Sequence, residues 1–395
     1  MVLNSKVNDR GATALFVVLF ATLLMSVLAI GFMRLMVQEQ IRAIDNDLSQ
    51  SAYDSAVAGV EDAKRVIRAC QNAGYDPMND ACKAMVAGKC NTVSEAGLAN
   101  DSGGEVLIQT SNGVSGAEMD QAYTCVQIAM NTEDYLADVS PEKSLIVPLK
   151  AKTSFNKIII SWQLSTDGLG DDLENPDGDS PVNLIKPALY SNIGTAWEKT
   201  PALVRAQFIT PDSAGFTLAD LDESSASSTT FLYPHMISTA SSVFPIGNDT
   251  LSRYTQSASD PWLPGTNSPL PVSCYEDRYQ LGGYACMVEI TLDTTIAAES
   301  NLAVLRLSTL YQANTSVSIQ LRDTTNSEVL FSGVQPSVDS TGRANNVFRR
   351  VESRLSLGGG FAFPERALDL KGSLCKNFYV TSDEAGSVGA TDCEP

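Results

Sequence analysis

Chemistry in a protein needs titratable or nucleophilic groups held close together, and this chain offers few. His235 is its single histidine among 395 residues, so a serine hydrolase would have to draw its base from Leu232-Tyr233-Pro234-His235-Met236. The strained G-x-S-x-G turn that presents a nucleophilic serine occurs nowhere in the chain, and His235 reads as a loop or strand-end residue. A G-x-x-x-x-G-K-[ST] phosphate loop is absent too, which excludes a nucleotide-driven motor. The eight cysteines are Cys70, Cys82, Cys90, Cys125, Cys274, Cys286, Cys375 and Cys393. Cys82 and Cys90 are spaced more widely than the close ligand pairs of structural zinc sites. Disulfides are therefore expected, and with all eight thiols paired none remains as a nucleophile. The expectation is a protein that is not an enzyme.

Pairing among the first four cysteines is open, since four thiols allow three connectivities; Cys82–Cys90 nested within Cys70–Cys125 is one of them. Cys274 and Cys286 bracket a turn at Gly282-Gly283 and would staple a hairpin or loop. Cys375 and Cys393 would close the end of the chain, and a closed loop of that size contributes about 3 kcal/mol by the loop-entropy estimate. The acidic run from Asp167 to Asp179 gathers hard oxygen ligands of the kind calcium takes, with Asp171, Asp172, Asp177 and Asp179 as candidates. Its spacing does not match an EF-hand, and a solvated acidic turn is the simpler reading, so no resident cofactor is expected beyond that calcium candidate. Arg343, Arg349, Arg350, Arg354 and Arg366 concentrate positive charge near the C-terminal strand. Local pairing with Glu352, Glu365 and other carboxylates is weighed there against a docking face for an acidic partner.

The elements that must carry these groups begin with an apolar run. Residues 12–33 contain no charge and, as a helix, reach roughly 33 Å, enough to cross a hydrocarbon core of about 30 Å. No proline precedes Pro77, and the apolar positions Ile41, Ile44, Leu48, Ala52, Ala56, Val60, Ala63, Val66 and Ile67 recur every three or four residues. One continuous helix to about residue 70 follows, with its lower stripe packing onto the chain's own sheet. Lys6 and Arg10 precede the run, so the N-terminus is expected in the cytoplasm and the C-terminus outside, where disulfides persist. Beyond residue 145 alternating stretches such as 155–164, 203–209, 285–292, 302–309 and 315–322 read as strands. Without helical periods between them, an antiparallel arrangement is expected.

The fold class is thus α+β: a long N-terminal α-helix, transmembrane then amphipathic, packed on an antiparallel β-rich extracellular region that can divide into two β units. The expected divisions are a leader at 1–11, the transmembrane half at 12–33 and the amphipathic half at 34–70. A Cys-containing connecting region follows at 71–142, then β-rich units at 143–272 and 273–395. A net charge of −19 argues against nucleic acid as a partner.

A polar leader ending in Gly11 directly before an apolar helix resembles a type IV prepilin. The likeness is to minor pilins of the PilX and general-secretion K types, through Arg10-Gly11-Ala12-Thr13-Ala14-Leu15 and the small-residue segment containing Ala52, Ala56, Ala58, Gly59 and Ala63. The resemblance implies cleavage between Gly11 and Ala12 by a prepilin peptidase, methylation of the new terminus, and extraction from the membrane by an inner-membrane assembly platform into a filament of other pilin subunits. Cys375 and Cys393 resemble the C-terminal disulfide loop of that family. One departure stands out. Phe16 occupies the fifth position of the implied mature chain, where most pilins place the Glu that neutralises a neighbour's terminal amine in apolar surroundings. The general-secretion K pseudopilin also lacks that acid, which implies a minor or apical subunit. Two alternatives stay open, a secretion-system pseudopilin and a signal-anchored surface binding protein that never polymerises.

Overall fold

The computed structural model describes residues 10–99, 104–109, 120–140, 143–170, 172–174, 199–210, 227–237, 248–250, 270–300, 303–312 and 314–356. A single helix, α1 (Arg10–Asn72), joins the apolar and amphipathic stretches without a break over 63 residues, a length of roughly 95 Å. It ends at Gly74, whose φ of 65° lets Tyr75 N donate to Cys70 O at 3.0 Å and so satisfies a carbonyl of the last turn. Helix α2 (Asp80–Ala87) starts on Asn79, whose side chain accepts from Ala81 N, and stops at Gly88 in the left-handed region. A short α3 (Thr92–Glu95) follows.

The strands in chain order begin with β1 (Val106–Gln109), β2 (Gln121–Thr132), β3 (Asp134–Val139), β4 (Leu145–Pro148) and β5 (Phe155–Trp162). Next come β6 (Leu203–Ile209), β7 (Ser227–Ile237), β8 (Asn248–Thr250) and β9 (Leu270–Tyr275), then a one-turn α4 (Glu276–Gln280). The series closes with β10 (Cys286–Ile296), β11 (Val304–Leu310), β12 (Thr315–Arg322), β13 (Glu328–Val329), β14 (Phe331–Ala344) and β15 (Val347–Arg354). The α+β expectation holds: a long apolar helix precedes a β-rich region of two sheets.

The smaller sheet, ordered β1-β2-β14-β15, is antiparallel throughout, and the lower half of α1 lies against β2, β14 and β15. Its core joins Val60, Ala63, Val66 and Ile67 of α1 to Val126 and Ile128 of β2 and Val338 of β14, with Ala81 and Met85 of α2 closing one end. The larger sheet, ordered β13-β12-β5-β10-β9-β7-β6-β11-β4, carries β3 on β12 and β8 on β10. It curls until β3 touches β11, enclosing one core that includes Phe155, Trp162, Tyr279 and Phe331. The indole of Trp162 donates to Ala202 O at 2.9 Å, so this wide ring is buried without an orphaned N–H.

Most pairings are antiparallel, but β7 with β9 and β8 with β10 run parallel. The chain between β7 and β9 spans residues 238–269, long enough for the crossover a parallel pair needs. The sheets also interleave in sequence. Residues 106–132 and 331–354 build the smaller one, the larger lies between them, and β9 crosses the expected division at 272. Two strands pass from sheet to sheet, β2 into β3 and β13 into β14. Buried Gln335 locks that crossing, accepting from Leu136 N at 2.9 Å and donating to Leu136 O at 2.6 Å. Residues 71–142, expected as a connecting region, hold α2, α3 and three strands.

Candidate functional site

Two surfaces of α1 are set by the size of its apolar residues. In the upper half every residue from 15 to 47 is exposed; Phe16 is 72 % exposed and Phe20 75 %. The helix from Leu15 contains the one segment among the described residues long and apolar enough to cross a membrane, and none of that segment is buried in the protein. A soluble protein hides such a surface in its core, because exposed apolar area costs about 25 cal/mol per Å². The few polar groups are satisfied within the helix: Thr22 Oγ1 donates to Leu19 O at 2.9 Å and Ser26 Oγ to Thr22 O at 2.8 Å. Hydrocarbon demands that closure. Charges begin at Arg34, and Arg42 pairs with Glu39 at 3.1 Å. The apolar face nonetheless continues through Val37, Ile41 and Ile44, all exposed.

Burial starts at Leu48 and then follows the helical period through Ala52, Ser55, Ala56, Gly59, Val60, Ala63, Val66, Ile67 and Cys70. The residues are small because the backbone of the sheet comes close. A methyl group built on Gly342 of β14 would overlap Ala52 O and Ala56 N and lie 2.8 Å from Ser55 C. One on Gly59 would sit 2.9 Å from Val126 Cγ2 and also overlap the Ser340 hydroxyl. Tyr123 of β2 adds a polar clasp, its hydroxyl donating to Asp62 of α1 at 2.8 Å. Burial, then the hydrogen bond to Asp62 and the charge of that carboxylate, push the Tyr123 phenol well above its ordinary range.

Disulfides fasten this assembly from one side. Cys70, in the last turn of α1, bonds Cys82 on α2, and Cys90 bonds Cys125 on β2. The pairs are successive, not nested, because α2 folds back against the end of α1 and brings Cys82 to Cys70 before the chain reaches the sheet. Cys274 of β9 bonds Cys286 of β10, its direct partner in register, as the hairpin reading expected. Cys375 and Cys393 lie outside the described residues.

The other candidates divide similarly. Gly11 and Ala12 fall in the first turn of α1. Of the calcium candidates only Asp172 is described, exposed in a loop; Asp171, Asp177 and Asp179 lie outside the described residues. Among the described residues no group of three or more His, Cys, Asp or Glu side chains could hold a metal. Asp167, at the head of the acidic run, is a structural brace whose carboxylate accepts from Leu164 N at 2.8 Å, Ser316 N at 2.9 Å and Ser316 Oγ at 2.7 Å. His235 stands in β7 opposite Ser273 of β9. Of the arginine group, Arg343 pairs with Glu105, Arg350 with Asp339 and Arg354 with Asp134, and Arg349 donates to Ser49 of α1 at 2.8 Å. These carboxylates come from β14, from β3 and from just before β1, distant in sequence for Glu105 and Asp134, while Arg366 and Glu365 lie outside the described residues. The sequence reading missed Ser340 and Gly342, whose small size matches the stripe on α1; that complementarity was the available signal. No protein family, curated protein or solved structure matches this chain.

Proposed function

We propose that this protein is a pilin-like subunit, held in the membrane by the upper half of α1 and assembled from there into a filament, in a minor or apical position. The observation that carries the reading is the continuity of α1. One helix offers a wholly exposed apolar half and a lower half locked to its own sheet, so the apolar half can leave the bilayer without disturbing the exterior. Among the described residues, one N-terminal apolar helix fits a single-pass anchor and three disulfides fit an extracytoplasmic exterior. A peptidase cut after Gly11 would free Ala12, and a bundle of neighbouring helices would replace lipid as the apolar solvent. Phe16 supports the apical placement, since a subunit with no neighbour above it needs no acid to neutralise a terminal amine. The same residue favours a second reading, an apical pseudopilin of a secretion system.

The test replaces Gly11 by Leu in the full chain and follows the protein in sheared surface filaments and in membranes. The expected result is wild-type protein in the filament fraction and the variant confined to membranes. Wild-type protein confined to membranes would contradict the reading. Loss of secretion without any surface filament would select the pseudopilin.

A further inference from the structure

In a chain with 46 Asp and Glu against 27 Lys and Arg, a basic side chain finds a carboxylate easily. Most described bases do so, including half-buried ones: Lys157 pairs with Glu289 at 3.0 Å, Arg354 with Asp134 at 2.9 Å, and Arg343 with Glu105 at 2.6 Å. Arg205 and Arg306 are exceptions. Antiparallel β6 and β11 place Arg205 opposite Ser308 and Gln207 opposite Arg306, so the two guanidinium groups rise from one face as diagonal neighbours, their backbones roughly 7–8 Å apart. Val204, Ala206, Leu305 and Leu307 fill the core on the other side. Among the described residues neither guanidinium group has an ion pair or a side-chain hydrogen bond. Burial, followed by the charge of Arg205, lowers the pKa of Arg306.

The surroundings suit a protein ligand. Phe231 of β7 is directly opposite exposed Arg205, and with Leu310 it is the half-buried part of a small apolar cluster on this face whose other members, Leu203 and Tyr233, are buried. Two guanidinium forks offer bidentate donors of the geometry carboxylates accept, and the ring beside them gives an apolar contact. Two like charges side by side repel each other, and an anionic ligand would offset that repulsion.

We propose that the outer face of β6, β7 and β11 around Arg205 and Arg306 docks an acidic segment of a partner protein, whose carboxylates take the two guanidinium groups while an apolar side chain lies on Phe231. The face belongs to the exterior, so the proposal stands apart from how α1 is used.

The test uses the full chain in neutral detergent and a fluorescent twelve-residue oligoglutamate peptide as probe, read by anisotropy. Wild type is expected to bind with an affinity that falls as salt rises. Arg205→Gln with Arg306→Gln should weaken binding at least about tenfold, and Arg205→Gln alone, at the exposed position, should give an intermediate loss. Lys83→Gln, a change to an exposed and already paired base, should leave binding as it was. Absence of wild-type binding, or equal binding by the double variant with an unchanged melting temperature, would overturn the proposal. So would binding to phosphatidylglycerol bicelles but not to the peptide.

Discussion

The two halves of α1 belong to one helix and treat their apolar residues in opposite ways. Above residue 47 the apolar residues are large, including Phe16, Phe20, Leu24 and Phe32, and all are exposed. Below it the stripe starts with the small Ala52, Ser55, Ala56 and Gly59 before Val60, Val66 and Ile67, all buried. Large side chains all round a helix suit lipid tails, which conform to them. Small ones let a β-strand backbone approach until a single added methyl group would overlap the helix. Between Ala52 and Gly59, residue size therefore marks where the helix has its partner within the chain.

That contrast can be broken from the lower side. The largest effect is expected from removing the Cys90–Cys125 bond, which closes a separation of 35 residues. Replacing both by Ala should cost about 4 kcal/mol by the loop-entropy estimate, read as a fall in the denaturant midpoint of the exterior. Gly342→Ala comes next. Its new methyl meets helix backbone, which cannot rotate away, so the expected loss is about 1–3 kcal/mol; a neutral result would mean the helix stands off the sheet. Tyr123→Phe is smaller, about 1–2 kcal/mol for a hydrogen bond to a carboxylate. The folded phenol has a raised pKa, so its contribution is complete below the unfolded value of about 10 and is lost as pH climbs beyond it. The Phe variant should lose less stability than wild type between neutral pH and pH 11. Smallest of all, Leu28→Asn in the upper half should leave the melting of the exterior unchanged, because Leu28 is exposed and belongs to no core cluster.

Much of this was legible in the sequence, for identifiable reasons. The helix and its stripe follow from spacing, and strands such as β6 and β12 follow from apolar alternation, at the boundaries observed. Strand β14 did not, although it binds α1 most intimately: Gly333, Pro336, Ser340 and Gly342 break apolar alternation, yet the small Ser340 and Gly342 are what a strand under a small-residue helix requires. The crossing of β2 into β3 was hidden because pairing between residues about 200 positions apart leaves no local mark, as the Gln335 contact with Leu136 illustrates. The first two disulfides depended on where α2 folds back, which spacing alone does not state.

The central claim is that the upper half of α1 is a processed, transferable element and not a permanent signal anchor. Mass spectrometry of the N-terminus of protein recovered from cells tests it most directly. The account predicts a chain beginning at Ala12 with a methylated amine; an intact chain still carrying Met1 through Gly11 would contradict it.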